Sequence, residues 1–313
     1  MKWLYKQDDQ SSVEVFGITF PNRVGMAAGF DKHANLYNLL SVFGFGHIEI
    51  GTVNPLPQPG NPKPRLFRLK KDKALINRMG FNNPGVETFV RNLKKNQPEM
   101  IIGGNIGKNT LTPNEKAVDD YLTCFEKLYD LVDYFVINVS CPNIVGLGKL
   151  QDKDELIKII ETLQQYACEK PVKKPVLLKI SPDLNKGQLD DTLSVVQQTS
   201  IDGIIATNTT TSREGLKTAP ETITKIGKGG LSGQPLRERA TQTIRYITKQ
   251  TAGSVPVIAV GGIMTPEDAL EKIQAGAKLV QIYTGFIYHG PGVVKNINQT
   301  INRYIKTNTT AKA

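Results

Sequence analysis

The chain has 313 residues, 39% of them apolar and 22% charged, and its 39 Lys and Arg against 29 Asp and Glu give a formal net charge of +10. This is enough chain to bury a sizeable core, too apolar for a disordered polymer, and its three cysteines (Cys124, Cys141, Cys168) are too few for a disulfide scaffold. No window approaches the roughly 18 consecutive apolar residues of a spanning helix, and the opening Met1-Lys2-Trp3-Leu4-Tyr5-Lys6, running into Gln7-Asp8-Asp9-Gln10, lacks the apolar stretch of a signal peptide, so a cytoplasmic protein with free thiols is expected.

In chain order, residues 1–16 read as a short lead segment, 17–306 as one domain and 307–313 as a polar tail. Eight short runs rich in Val and Ile follow one another: Val24–Ala28, His47–Val53, Met100–Ile106, Tyr134–Val139, Pro175–Ile180, Gly203–Thr207, Pro256–Val260 and Leu279–Tyr283. Bounded by Gly, Asn or Pro, they have the character of strands buried on both faces. After the second run, five prolines between Pro55 and Pro64 forbid a helix and predict a long loop over the strand ends, followed by a hairpin from Arg65 to Ile76. Helical patterns fill the later gaps, at Asn114–Leu131, Asp154–Ala167, Gly187–Gln198, Leu236–Lys249, Thr265–Ala275 and Gly292–Tyr304. Thr265-Pro266-Glu267-Asp268 supplies an N-cap, a Pro at the first helical position and acids in the first turn. Eight strands alternating with helices over roughly 250 residues is the arithmetic of a single-domain (β/α)8 TIM barrel; a doubly wound sheet is the competitor, and the count and even spacing favour the barrel.

In such barrels chemistry collects where strands meet their following loops. Those positions carry Asp31 and Lys32, Thr52, Asn105, Asn138 with Ser140-Cys141-Pro142-Asn143, Lys179, Thr207-Asn208-Thr209, Gly261-Gly262 and Tyr283-Thr284-Gly285. Polar residues embedded in runs this apolar are costly unless paired, and their recurrence at one end of eight elements points to a site. The glycines of Gly229–Gly233 and Gly261-Gly262, with Thr284-Gly285, suggest a ligand ending in phosphate, held on bare backbone N–H groups. Asn105, Asn138 and Asn208 with Lys179 suit a planar heterocycle of alternating N–H and C=O groups. No His stands at a strand end, His47 and His289 look peripheral, and no Cys spacing is typical of zinc, so no metal site is expected. Cys141, between two Asn residues and before Pro142, is the candidate nucleophile or base; Cys124 and Cys168, at helical positions, read as small buried hydrophobes. The lysines are spread along the chain, and the positive charge reads as an aid to solubility rather than a nucleic-acid footprint.

The segments Met26–Lys32, Glu49–Val53, Pro55–Asn61, Ile76–Asn83, Asn105–Asn109, Ile205–Thr209 and Gly230–Gly233, which stand in order along nearly the whole chain, resemble dihydroorotate dehydrogenase. The resemblance implies a flavin mononucleotide (FMN) enzyme on a (β/α)8 barrel that oxidises dihydroorotate to orotate in pyrimidine synthesis. It implies that the flavin is held by Ala28, Gly29, Phe30, Asp31, Lys32, Thr52, Asn105, Asn138, Lys179 and Thr207, with its phosphate on Gly233, Gly262, Tyr283 and Thr284. Substrate would be gripped by Lys32, Asn77, Arg78, Met79, Gly80, Phe81, Asn138, Asn143, Asn208 and Thr209, and Cys141 takes the position of the general base that removes the C5 proton while hydride leaves C6. Lys179 would stand at the flavin's pyrimidine edge.

Two departures bear on the electron acceptor. The body resembles the family's quinone-using, membrane-associated branch, yet Cys141 is the residue usual in the soluble branch, and Ile144 stands where the quinone branch typically has Thr. Only about sixteen residues precede Gly17, too few for the two-helix extension of the quinone branch. A soluble oxidant such as fumarate or a partner protein is therefore expected. The alternative is quinone, reached from the inner face of the cell membrane through at most a peripheral foot at Trp3, Leu4 and Tyr5. A homodimer is the default assembly. A barrel that reduces uridine in transfer RNA would need a module of clustered basic residues for which there is no room; a phosphate-binding barrel without redox activity would be colourless.

Overall fold

The computed structural model describes residues 11–140 and 153–310, with side chains through Asn308. Its strands are β1 (Val13–Val15), β2 (Ile18–Phe20), β3 (Val24–Met26), β4 (His47–Val53), β5 (Leu66–Leu69), β6 (Ala74–Asn77), β7 (Ile101–Ile106), β8 (Tyr134–Asn138), β9 (Val176–Ile180), β10 (Gly203–Ala206), β11 (Gly230–Gly233), β12 (Val257–Val260) and β13 (Leu279–Ile282). Its helices are α1 (Tyr37–Ser41), α2 (Val86–Lys95), α3 (Ala117–Leu128), α4 (Lys153–Cys168), α5 (Lys186–Thr199), α6 (Pro220–Ile226), α7 (Arg237–Gln250), α8 (Pro266–Gln274), α9 (Thr284–His289) and α10 (Gly292–Thr310).

The eight Val- and Ile-rich runs pair side by side, all parallel, into a closed barrel in the order β3-β4-β7-β8-β9-β10-β12-β13 and back to β3. Alternation along each strand divides the apolar residues between two cores. Ile48, Ile50, Phe135 and Ile137 face the helices. Val136, Leu177, Ile205, Ile258 and Leu279 fill the barrel interior, where they meet Val15 and Phe20 of the β1–β2 hairpin. That hairpin turns through Phe16 and Gly17, both at positive φ, the two-residue geometry that matches strand twist. The hairpin thus covers one end of the barrel, and the end where strands run into their following loops stays open. It spans the boundary expected at Gly17, and α10 runs past residue 307.

The hairpin expected from Arg65 to Ile76 forms as β5 and β6, and β11 adds to it as a third antiparallel strand. Gly230–Gly233, read from sequence as a glycine loop, is therefore ladder-forming backbone. At α8 the Thr265 side chain accepts from the Asp268 N–H and the Asp268 carboxylate accepts from the Thr265 N–H, the capping box that the sequence foretold in part.

Two expectations are corrected here. His47 is not peripheral: it is the first residue of β4, faces the barrel interior and is fully buried. Its ring occupies the space a side chain at Gly25 would take, since a Cβ there would stand 2.1 Å from His47 Nε2, and it meets the Phe20 ring edge-on at 5.2 Å. Cys168, at the last turn of α4, is exposed, whereas Cys124 is buried as expected.

Candidate active site

The open end of the barrel holds a cavity, about 1070 Å³ of empty space when the open solvent at its mouth is included. Strand ends supply one wall: Ala28, Gly29 and Lys32 after β3, Thr52 on β4, Asn138 on β8, Lys179 on β9, and Thr207, Asn208 and Thr209 after β10. The small sheet and the loop after it supply the opposite wall through Asn77, Met79, Gly80 and Phe81, with Leu66 and Leu75. Gly233, Gly262, Tyr283 and Thr284 close one end, where Ser232 and Thr284 hydroxyls share a 2.8 Å hydrogen bond. Gly29 lines the cavity at φ +93°, where a Cβ would stand in ordinary contact with the Tyr283 ring at 3.7 Å. Burial pushes the Tyr283 phenol above its ordinary pKa and keeps it a neutral donor.

Beneath the cavity the polar side chains bond to each other in a row. Asn138 Nδ2 donates to Thr52 Oγ1 at 3.0 Å and to Asn105 Oδ1 at 3.2 Å, and the Thr52 hydroxyl donates to Asn105 Oδ1 at 2.5 Å. Asn208 Nδ2 donates to Ser140 Oγ at 3.0 Å. Asn105 Nδ2 then donates to Glu49 Oε1 at 2.6 Å, and Lys179 Nζ donates to the same oxygen at 2.8 Å. Glu49 is fully buried and Lys179 nearly so, so the cation that the sequence offered as a lone charge is half of a buried ion pair.

Four expected site residues do not reach the cavity wall. Asn105 has no exposed surface and stands behind Thr52 and Asn138. The Asp31 carboxylate is fully buried and accepts from the backbone N–H groups of His33, Asn35, Leu36 and Tyr37, so it folds the loop that carries Lys32. Phe30 packs edge-on against Tyr283 and Phe286, both at 5.6 Å between centroids. The Arg78 guanidinium is spent on the carbonyls of Pro64 and Ile226 and lies over the Phe67 ring at 5.0 Å. Cys141, Asn143 and Ile144, with Trp3, Leu4 and Tyr5, lie outside the described residues. Sequence reasoning missed Glu49 and Gln281, both fully buried inside the barrel. A carboxylate inside the apolar run His47–Val53 was the available signal for Glu49, because a charge is almost never fully buried unless paired. Among the described residues no group of three His, Cys, Asp or Glu is arranged to hold a metal ion.

Comparison with known proteins agrees with this geometry. The family model described as dihydroorotate dehydrogenase matches residues 10–305. A protein named dihydroorotate dehydrogenase (quinone) from Christiangramia forsetii is 58% identical over 295 residues, covering 94% of this chain and 85% of its own. One of the same name from Thermosynechococcus vestitus is 52% identical, covering 95% of this chain and 82% of its own. Among solved structures, that of DHODH from Eimeria tenella in complex with ferulenol superimposes with a TM-score of 0.91 at 37% identity, covering 98% of this chain and 87% of the other.

Proposed function

The chain belongs to the dihydroorotate dehydrogenase family, FMN-dependent oxidoreductases whose reaction serves pyrimidine biosynthesis, and from that premise we propose that it passes its electrons to a quinone, with Cys141 as the base for dihydroorotate. The sequence reading put a soluble oxidant first and quinone second; relatives at 58% and 52% identity that carry quinone in their names reverse that order, and this likeness is the observation that carries the proposal. Quinones dissolve in membranes, so the proposal entails contact with a membrane surface. Among the described residues no helix is long and apolar enough to cross one, and a peripheral contact meets the requirement.

The residues present fit the cofactor. A buried lysine, a row of amides and a hydroxyl border one side of the cavity, which matches the N–H and C=O groups of a flavin's pyrimidine edge. Gly29 presents bare backbone to the cavity, which suits the close approach of a ring, and Gly233, Gly262 and Thr284 line it where a phosphate would lie. Bound FMN supplies the hydride acceptor for the oxidation. The chain supplies the rest. Lys32, on the cavity wall, suits the substrate carboxylate, and Asn77, Asn138 and Asn208 offer both donors and acceptors to its ring. Cys141 Sγ takes the C5 proton; a thiol has an ordinary pKa near 8.5, so a useful fraction is thiolate near neutral pH. The Ser140 hydroxyl accepts from Asn208 Nδ2 at 3.0 Å.

Turnover of the purified protein with a short-chain quinone, fumarate and NAD tests the acceptor. Quinone is expected to support the fastest turnover, by at least tenfold, with faster rates when anionic vesicles carry the quinone; fumarate as the best acceptor refutes the proposal and restores the soluble reading.

A further inference from the structure

We infer that Glu49 is a positioning residue that sets the charge presented by Lys179 to the flavin, a role that rests on the FMN reading of the cavity given above. Glu49 lies two residues before Gly51 on β4, faces into the barrel and does not line the cavity. Its Oε1 takes Lys179 Nζ at 2.8 Å and Asn105 Nδ2 at 2.6 Å. Asn105 in turn accepts from Thr52 and Asn138. One carboxylate oxygen therefore fixes the cation directly, and the hydroxyl and amide row through a single intervening side chain.

Stability alone is a poor reason for this arrangement. A buried ion pair repays its desolvation only with good geometry, and an apolar replacement of similar volume is often as stable or more so. Here the pair also leaves Glu49 Oε2 buried with no hydrogen-bond partner among the described residues, a further cost. What a fixed buried pair does provide is a preorganised local field. With Glu49 in place the floor of the cavity presents a dipole, Lys179 toward the ligand and the carboxylate behind it. Without Glu49 the same spot presents an uncompensated cation. Glu49 thus tempers the pull of Lys179 on negative charge at the pyrimidine edge and, by holding Nζ and Asn105 in register, fixes where that pull is felt.

The test uses the holoenzyme and its Glu49→Gln variant, which keeps the size of the side chain and an acceptor oxygen but removes the charge. Sulfite adds to oxidised flavin to give an anionic adduct and bleaches its absorbance, so its dissociation constant reports cationic charge at that edge; the midpoint potential of the bound flavin reports the same charge independently. Glu49→Gln is expected to bind sulfite at least tenfold more tightly, with a potential raised by the equivalent of about 30 mV for a two-electron couple. A merely structural role moves neither, and unchanged values in a variant that retains flavin overturn the inference. If Glu49→Gln loses its flavin, the same two readings on Glu49→Asp decide, because its shorter carboxylate weakens the contact with Lys179: a smaller shift in the same direction supports the role, and none overturns it. A natural chain that purifies colourless and takes up no added FMN refutes the cavity reading itself, and the inference with it, irrespective of any Glu49 variant.

Discussion

Lowering the pH from 8 to 5 charges His47 in the unfolded chain and leaves it neutral in the folded one. The ring is fully buried, wedged over Gly25 and against Phe20, and neither nitrogen has a hydrogen-bond partner among the described residues. Burial pushes its pKa from the ordinary 6.5 down to about 3. Between those values the unfolded chain binds a proton that the folded chain does not. The His47 contribution is therefore intact above pH 6.5 and is lost as the pH falls below it. At pH 5 the loss is about 2 kcal/mol, from 1.5 pH units at about 1.4 kcal/mol each. With an unfolding entropy of roughly 2.1 cal/mol/K per residue, that lowers the Tm of a chain this long by about 3 °C. The comparison is His47→Leu, melted alongside the natural chain at pH 8, 7, 6 and 5 with saturating FMN. Leu does not titrate, and it leaves part of the space over Gly25 empty. The variant should melt lower at pH 8 through the lost packing over Gly25, and because only the natural chain then loses stability through residue 47, the gap should narrow by about 3 °C on going to pH 5. Parallel curves over that range would show that His47 is protonated in the fold or reaches solvent, and the reasoning would fail.

Three further outcomes follow from other contacts. Cys141→Ala should slow reduction of the flavin by dihydroorotate in stopped flow by about 10²-fold or more, the usual scale for losing a general base, and Cys141→Ser should stay partly active with a rate still climbing at high pH; an Ala variant within a few-fold of the natural rate removes Cys141 from the mechanism. Gly262→Ala would bring a Cβ to 2.1 Å from Arg237 Cα at a φ of +72°, forcing the loop after β12 away from the start of α7; FMN affinity, read from released flavin fluorescence, should drop at least tenfold, and an unchanged affinity would detach this loop from the phosphate. Asp31→Ala strips the acceptor from four backbone N–H groups, of which the Tyr37 N–H bond is buried and the other three partly so, and should cost about 3 kcal/mol in denaturant unfolding while raising KM for dihydroorotate through Lys32, given about 1–3 kcal/mol for a buried donor left unpaired and less for those that water can reach; a variant of natural stability would show that other contacts hold the loop.

The barrel was legible because strands buried on both faces leave continuous Val- and Ile-rich runs, and every such run became a barrel strand. The hairpin at β5 and β6 was legible for a different reason, its position after five prolines. Its third strand was not: Gly-Leu-Ser-Gly carries no β signal, and β11 exists because β6 offers it a ladder, a tertiary cause that no local pattern records. The short α1 and α6 escaped because five and seven residues give too little periodicity to read. Within the site, counting strand ends found most of the cavity wall, since topology alone puts those positions together. It also named Asp31 and Asn105, which do not reach the wall, because a position at a strand end does not say which way its side chain turns. Asp31 turns back to its own loop, and Asn105 turns under its neighbours. His47 and Glu49 share one explanation. Alternation along β4 places both inward while Ile48 and Ile50 face the helices, so the run has a polar inner face and an apolar outer one, a pattern hidden when it is read as uniformly apolar.

That inner face explains how the barrel can keep a charged pair under its cavity. Three inward glycines sit where large rings need room: a Cβ at Gly25 would strike His47, at Gly103 the Tyr134 ring at 2.2 Å, and at Gly203 the Phe16 ring at 2.5 Å. Each ring fills the gap left by a glycine, so the covered end of the barrel is packed with aromatic surface, and water is kept from Glu49 on that side. Exclusion of water raises the Tyr134 phenol well above its ordinary pKa, with the Glu49 charge adding to the effect of burial, and it lowers His47, so the two titratable rings below the pair are both neutral near pH 7. With both of these rings neutral and water excluded on that side, the attraction between Glu49 and Lys179 is little screened. The glycines that make room for rings at one end of the barrel are thus part of what lets Glu49 hold and temper Lys179 at the other.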